Sequence, residues 1–479
     1  MSTTSKLQYS TFATLGVSFL WPWNSLLLAV PYFNRRLGDY PTLQRTSASN
    51  IMLISTLTSS LLFIYFVFKK TKENTNSTAI YSRRIILGEL IIALAFVILA
   101  VSCLFNTSGN QLLYFFFVML VIFVATIGTA LTQNGSFAVA NLFEPIYTQA
   151  IMVGQAVAGI LPSVVYILSQ QGNKSSSSDN NDSGRTEDNT GQEGQRAIYS
   201  GSIFFSFIVS SLVSVLALCL YNLLAQKMPE RLPSLGNFFS QGRTNIYSMV
   251  SLDQTSRARD PSNHPHSDEP EAEILAVPAN NAISPFQLVY QRLRIPALNI
   301  FLTFSISLLF PVFLPVVKPI NSDYDQLIFS SFALFMWNFG DLVGRVICGV
   351  GFFAAAPHSS KFYLSYAVAR FGFVPLFFLC NINGKGALLN SDLWYMLLQF
   401  LFGLTNGHLS TRIMMQASTI NHDKYESPRS DSDTFLPLEE PDDERKKAER
   451  EATGSFMTLA ISLGLTCGSL FSFILVYII

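Results

Sequence analysis

Apolar residues in this chain come in long blocks. A bilayer core of ~30 Å needs about 20 apolar residues per helix. Windows of that kind lie near 11–33, 50–68, 85–105, 111–137, 145–169, 199–225, 296–318, 326–350, 361–380, 393–418 and 455–479. The pattern predicts an all-α polytopic membrane protein with eleven crossings, an odd number that puts the termini on opposite sides. Polar sequence interrupts the blocks at 170–197, 227–294 and 421–453. The second interruption divides the crossings into six and five. Transporters built as two helical bundles share this arrangement, here as 1–226, a cytosolic linker 227–294, and 295–479.

Composition sharpens this picture. By length, 479 residues would make about three soluble domains, yet only 13% are charged, 49% are hydrophobic and 41 are Phe. Of the 62 charges, 39 fall in the three polar stretches, and the other 350 residues carry 23. So low a density suits lipid as solvent. A balanced net charge of +0 argues against a nucleic-acid partner, which would call for a basic face. The five cysteines stand apart inside apolar runs, showing neither a disulfide framework nor a CxxC site. The opening MSTTSKLQYS lacks the apolar core of a secretory signal, so the first block is expected to stay in the mature chain.

Basic residues near helix ends are retained in the cytosol. Lys69, Lys70, Lys72, Arg83 and Arg84 crowd one connection, and Lys227, Arg231, Arg292 and Arg294 flank the long linker. Both connections are therefore expected in the cytosol, with the N-terminus inside and the C-terminus outside, although Arg35, Arg36 and Arg45 oppose that orientation. Residues 170–197 are low-complexity polar sequence expected to be disordered on the non-cytosolic side, where Asn173 and Asn181 match glycosylation acceptors. Asn106 lies close to the membrane, and Asn76 falls on the cytosolic side. The stretch 421–453 includes DDERKKAERE, a candidate surface helix, and the plainer reading of both cytosolic loops is solvated linker open to phosphorylation or sorting. DEPEAEIL loosely resembles an acidic dileucine signal, which slightly favours a vacuolar or other internal membrane over the cell surface.

Polar groups within the spans are the informative ones, because each is costly unless it meets a partner or a wet cavity. Asp341 and Arg345 in WNFGDLVGRVICGV stand four apart on one helical face, with Asn338 a turn earlier. They read either as a clamp between helices or as part of a solute pathway. Gly340, Gly344 and Gly349 admit close approach of a helix or ligand. Trp23 beside Pro22 offers a stacking face in mid-span or an interfacial anchor, with the proline expected to bend the helix. Gln133 and Asn134 supply amides suited to the edge of a heterocyclic base or to binding helices together. Glu89 and Arg412 are expected to snorkel toward the cytosolic surface.

No enzyme constellation emerges. The five histidines show no metal-ligand spacing, and neither a GxxxxGK phosphate loop nor a GxSxG elbow is present, so no cofactor and no ATP are expected.

These residues resemble the equilibrative nucleoside transporter family. LGVSFLWPWNSLLLAVPYFNRRL resembles its PWN signature, and NFGDLVGR its Asn, Asp, Gly and Arg pattern in the eighth helix. Further likenesses are GQAVAG at 154–159, ARFGFVPLFFLCNI at 369–382, NGHLSTRIMM at 406–415 and the C-terminal SLGLTCGSLFSF. The resemblance implies a major-facilitator-like fold of six plus five helices that carries purine and pyrimidine nucleosides, and nucleobases as a further class, down their gradients by alternating access. By position it implies that Trp23 contacts the nucleoside, Leu20 and Leu57 line the cavity, and Gln133 bonds the base. Asp341 and Arg345 would engage the ribose hydroxyls, while Phe310, Pro311 and Asn338 would stand near the outer gate. Thr129 stands where a glycine is expected, and Trp21 replaces an aliphatic residue, which touches inhibitor sensitivity and fine preference.

A nucleoside presents a flat base and a hydroxylated sugar, so stacking surface, an amide and charged partners suit it. A cation beside Asp341 favours its carboxylate form, which makes it a poor proton carrier and leads to facilitated diffusion without obligatory proton coupling. The competing readings are another major-facilitator-like carrier, of sugars or small cations, and a non-transporting receptor or scaffold.

Overall fold

The computed structural model describes residues 3–37, 40–68, 77–105, 110–178, 189–229, 232, 233, 236, 285–308, 310–321, 326–350, 359–386, 388, 391–420 and 440–478. Its helices are α1 (Thr3–Arg36), α2 (Pro41–Phe68), α3 (Ser77–Ser102), α4 (Gln111–Ala140), α5 (Pro145–Ser178) and α6 (Asn189–Lys227). There follow α7 (Pro285–Ser307), α8 (Phe310–Val316), α9 (Gln326–Ile347), α10 (Ser360–Ala369), a 3-10 turn (Arg370–Gly372), α11 (Phe373–Phe378), α12 (Asp392–Ile420) and α13 (Glu440–Ile478). Every predicted apolar window falls on helix. Among the described residues six helical stretches have the length and apolar character to cross a bilayer: Asn50–Phe68, Thr78–Ser102, Gln111–Ala140, Ile203–Lys227, Val289–Leu314 and Lys446–Ser472. Helix closes every backbone hydrogen bond within the segment, which hydrocarbon requires.

Two windows are interrupted, and each break lies at the carbonyl four residues before a proline. Pro311 would clash with the carbonyl of Ser307, the last residue of α7, and Pro375 with that of Phe371 in the 3-10 turn. Pro22 and Pro296 lie within uninterrupted helix. The breaking prolines have local help, from Pro315 four residues beyond Pro311 and from Gly372 three before Pro375. Outside the spans, α8 is fastened to the turn after α11. Lys318 N donates to Asn381 O at 3.0 Å, Asn383 N to Val316 O at 2.7 Å, and Asp392 Oδ1 accepts from Ile320 N at 2.9 Å.

Two expectations need correction. Helix extends to Ser178 and resumes at Asn189, so both ends of 170–197 are ordered as helix. Once nucleated in apolar sequence a helix propagates at one hydrogen bond per residue. Asn173 lies in that extension, and Asn181 lies outside the described residues, as do Asn76, Asn106 and most of 227–294. The charged run near 440–453 is likewise no solvated linker. It opens α13, and Glu449 and Glu451 are buried. Partners explain this: Arg292 pairs with Glu449 at 3.3 Å, and Thr78 Oγ1 donates to Glu451 at 2.5 Å. Arg36, which seemed to oppose the topology, has structural work. Its guanidinium donates to Ser102 O and Cys103 O at 3.1 and 3.0 Å, capping α3, and lies over the rings of Tyr32 and Tyr114.

Helices α1–α6 pack chiefly on one another, as do α7–α13, and the two groups meet where α5 faces α9 and α12 and where α13 faces α2 and α4. Several described hydrogen bonds between the groups lie toward the end where α1 and α13 begin. There Asn141 Nδ2 donates to Arg450 O at 3.4 Å, and Ser455 Oγ to the Tyr81 hydroxyl at 3.2 Å. Ser60 bonds Ser462 and Thr466 at 2.9 and 2.8 Å. One buried apolar cluster joins Phe12, Leu15, Phe137 and Ile151 to Leu409, Ile413 and Phe456 across the same junction. The seam is therefore shut at that end.

Glycines set the closest packing. A Cβ at Gly403 would overlap the Trp337 carbonyl, and one at Gly407 the Asp341 carbonyl, so α9 and α12 meet backbone to backbone. Gly407→Ala is expected to lower the thermal midpoint of the purified protein by several degrees. Gly201→Ala, which meets open space inside a helix, should leave it unchanged or slightly higher; equal midpoints for the two variants would contradict this packing.

Candidate functional site

The Gly340, Gly344, Gly403 and Gly407 contacts bring α12 against the polar face of α9, and the chemistry follows from that approach. Arg345 Nε donates to Asp341 Oδ2 at 2.8 Å, the pair expected from their four-residue spacing. Asn406 Nδ2, on α12, donates to the other oxygen, Oδ1, at 2.7 Å. Ser307 Oγ, at the end of α7, donates to Asn406 Oδ1 at 2.5 Å. On the opposite side Arg345 Nη1 reaches across the seam to α5, donating to Met152 O at 2.7 Å and Gln155 Oε1 at 3.0 Å. Gln149 Nε2 returns a bond to Arg345 O at 3.0 Å. Asp341 and Arg345 are 4% and 5% exposed.

In this conformation the arrangement is that of the clamp. The pair is nearly enclosed between helices and its charges neutralise each other; Arg345 Nε and Nη1 are bonded, while Nη2 makes no hydrogen bond to a described residue. Clamp and pathway remain compatible, since this particular clamp spans the two halves of the molecule.

Helix α5 places the remaining groups by depth. Gln155 meets Arg345; about one turn further along, Gly159 lies against the Asn338 side chain, and Ala158 O accepts from Asn24 Nδ2 at 2.7 Å. Trp23, the neighbour of Asn24, is thus held near the level of Asn338. It packs partly buried against Phe33, Ile92 and their cluster, while Leu20 packs against the cluster at the shut end. Leu57 is 44% exposed. Gln133 and Asn134 part company. Asn134 is fully buried and accepts from Arg84, whereas Gln133 is half-buried and makes no hydrogen bond to a described residue. Phe310 and Pro311 open α8, and their side chains lie outside the described residues.

Glu89 and Arg412 do not snorkel. Glu89 is 1% exposed and bonded to Ser18 at 2.5 Å, and Arg412 Nε donates to the Tyr363 hydroxyl at 3.3 Å. Sequence reasoning missed Gln155, Asn406, Ser307 and the buried Arg370. The last donates to Thr303 O, Phe402 O and Thr405 Oγ1 at 3.0, 3.4 and 3.3 Å. Gln155, Asn406 and Arg370 sit inside motifs noticed for their resemblance, but nothing in spacing said which helix each would face. Among the described residues no group of His, Cys, Asp and Glu could hold a metal ion, and all five cysteines are free.

A family model described as Nucleoside transporter matches residues 118–427. Nucleoside transporter FUN26 of Saccharomyces cerevisiae is 30% identical, over 99% of this chain and 84% of that protein. Equilibrative nucleoside transporter 1 of Homo sapiens is 24% identical, over 98% and 96%. Among solved structures, the major facilitator superfamily proton:xylose symporter XylE superposes with a TM-score of 0.50 at 11% identity, covering 98% of this chain and 88% of that one. The likeness to XylE concerns the fold.

Removing Arg345 leaves Asp341 buried with one donor, a change that costs roughly 3–5 kcal/mol. Arg345→Ala is therefore expected to unfold at a markedly lower temperature than wild type, and Gln155→Leu at a slightly lower one. An unchanged midpoint for Arg345→Ala would show that the seam does not depend on this cation.

Proposed function

The chain belongs to the nucleoside transporter family, and from that premise we propose how it works as a facilitative nucleoside carrier. Its cargo is purine and pyrimidine nucleosides, with nucleobases as a further class, moved by alternating access across a membrane spanned eleven times. The N-terminus faces the cytosol and the C-terminus the other side, in a vacuole-like internal membrane, with Asn173 and Asn181 as glycosylation acceptors. Neither ATP nor a cofactor takes part.

One observation carries the mechanism: the buried ion pair lies on the seam, with Arg345 bonded to α5 of the other half. In alternating access the seam must open, and an opened seam strips Arg345 of Met152 and Gln155. A ribose offers replacement oxygens to Arg345 and hydroxyl donors to Asp341, so cargo supplies what the departing helix withdraws. Trp23 gives the base a stacking face, Gln133 a donor and acceptor for its edge, and Leu20 and Leu57 an apolar wall. Asn338 with Phe310 and Pro311 closes the way on the side opposite the shut end. Asp341 is held by two donors and serves as a fixed acceptor, which leaves the cycle without an obligatory proton.

Competition tests the cargo class. Liposomes holding purified protein should take up labelled uridine down its gradient, with adenosine competing and xylose not, and an imposed pH gradient should drive no accumulation. Trp23→Ala should raise the KM for uridine about tenfold, the scale of one lost base stack. Absence of flux would favour a receptor or scaffold, competition by xylose a sugar carrier, and uphill accumulation a proton-coupled one.

A further inference from the structure

Asn406 is a buried amide with both ends in use. Its Nδ2 faces Asp341 and its Oδ1 faces Ser307. The NH2 end of Asn406 points at the Asp341 carboxylate, an acceptor, and its oxygen shares the single Ser307 hydroxyl proton with Thr303 O. Ser307 Oγ also lies 2.6 Å from Thr303 O, the carbonyl that Arg370 holds at 3.0 Å. Asn406 is therefore seated by Ser307 at the end of α7, next to the carbonyl that Arg370 of the 3-10 turn holds. Gly407, its neighbour, lets this part of α12 lie against the backbone of Asp341 itself.

The consequence is geometric. An Asp carboxylate rotates over a broad range about its last torsion. Arg345 Nε restrains one oxygen, and the second oxygen is restrained by Asn406. Two donors on two oxygens define the carboxylate plane, and of about four lone-pair sites two remain for a ligand. With the plane fixed, those two sites have fixed directions, and hydroxyl recognition is directional.

Resting on the sugar-site reading of Asp341, we propose that Asn406 is a positioning residue that orients the Asp341 carboxylate and thereby determines selectivity for ribonucleosides over deoxynucleosides. It touches no cargo. It acts through Asp341, and Ser307 acts through it in turn.

The test is uptake of uridine, 2′-deoxyuridine and 3′-deoxyuridine into liposomes containing wild type, Asn406→Ala, Asn406→Ser, Ser307→Ala or Asp341→Asn, with the amount of folded transporter measured for each. For Asn406→Ala the uridine KM should rise about tenfold while the KM values of the deoxynucleosides move little, so the ribo-to-deoxy ratio collapses. Asn406→Ser keeps a donor hydroxyl and should recover part of the ratio, and Ser307→Ala should lose part of it. If Asn406→Ala folds poorly, the serine and Ser307 variants carry the same comparison. Equal KM changes for all three substrates would mean that Asn406 only holds helices together, and would overturn the proposal. Asp341→Asn separates the two layers. If it erases the ratio while the Asn406 and Ser307 variants keep it, only the Asn406 inference falls. If Asp341→Asn itself keeps the wild-type ratio, the sugar-site reading falls and the inference with it.

Discussion

A guanidinium buried between helices is the constraint on which the rest of this structure depends. Burial leaves Arg345 dependent on protein acceptors, and it draws them from both halves of the molecule: Asp341 on its own helix, Met152 and Gln155 on α5. Charge neutrality and closure of the seam are thus one contact. A seam held only by apolar packing could part gradually. One held by a buried cation favours two discrete arrangements, since each intermediate leaves a donor unsatisfied. Such bistability is what alternating access needs.

Local backbone chemistry makes the contact possible. Glycines at 340, 344, 403 and 407 remove the side chains that would separate α9 from α12, so Asn406 reaches Asp341 directly. Prolines break α7 from α8 and α10 from α11, and the first break follows Ser307, the residue that holds Asn406. The hydrogen-bonded core of the second half therefore runs up to the junction with the short helix α8, whose far end is fastened to the turn after α11.

Much of the fold was legible because lipid imposes a length rule that soluble proteins lack. Each apolar window lies on helix, and the Asp341 and Arg345 pair follows from spacing alone. Apart from the helical ends of 170–197, the errors share one cause: one-dimensional sequence does not say which way a polar residue faces. Glu89, Arg412, Glu449 and Glu451 were expected in water and are buried against specific partners. Gln133 and Asn134 are neighbours in sequence but lie about 100° apart around the helix, so one is locked by Arg84 and the other is half-buried. Asn406 and Gln155 were invisible as site residues because their importance arises from the helices opposite them. The closed seam was equally beyond sequence, since the same residues must also serve an open one.

The central claim is that cargo hydroxyls meet Asp341 and Arg345 when α5 lets go. A structure with uridine bound is the direct measurement. The account predicts a ribose hydroxyl within about 2.5–3.0 Å of an Asp341 carboxylate oxygen, with Arg345 released from Met152 and Gln155. A bound nucleoside whose sugar lies elsewhere, with Arg345 still fastened to α5, would contradict it.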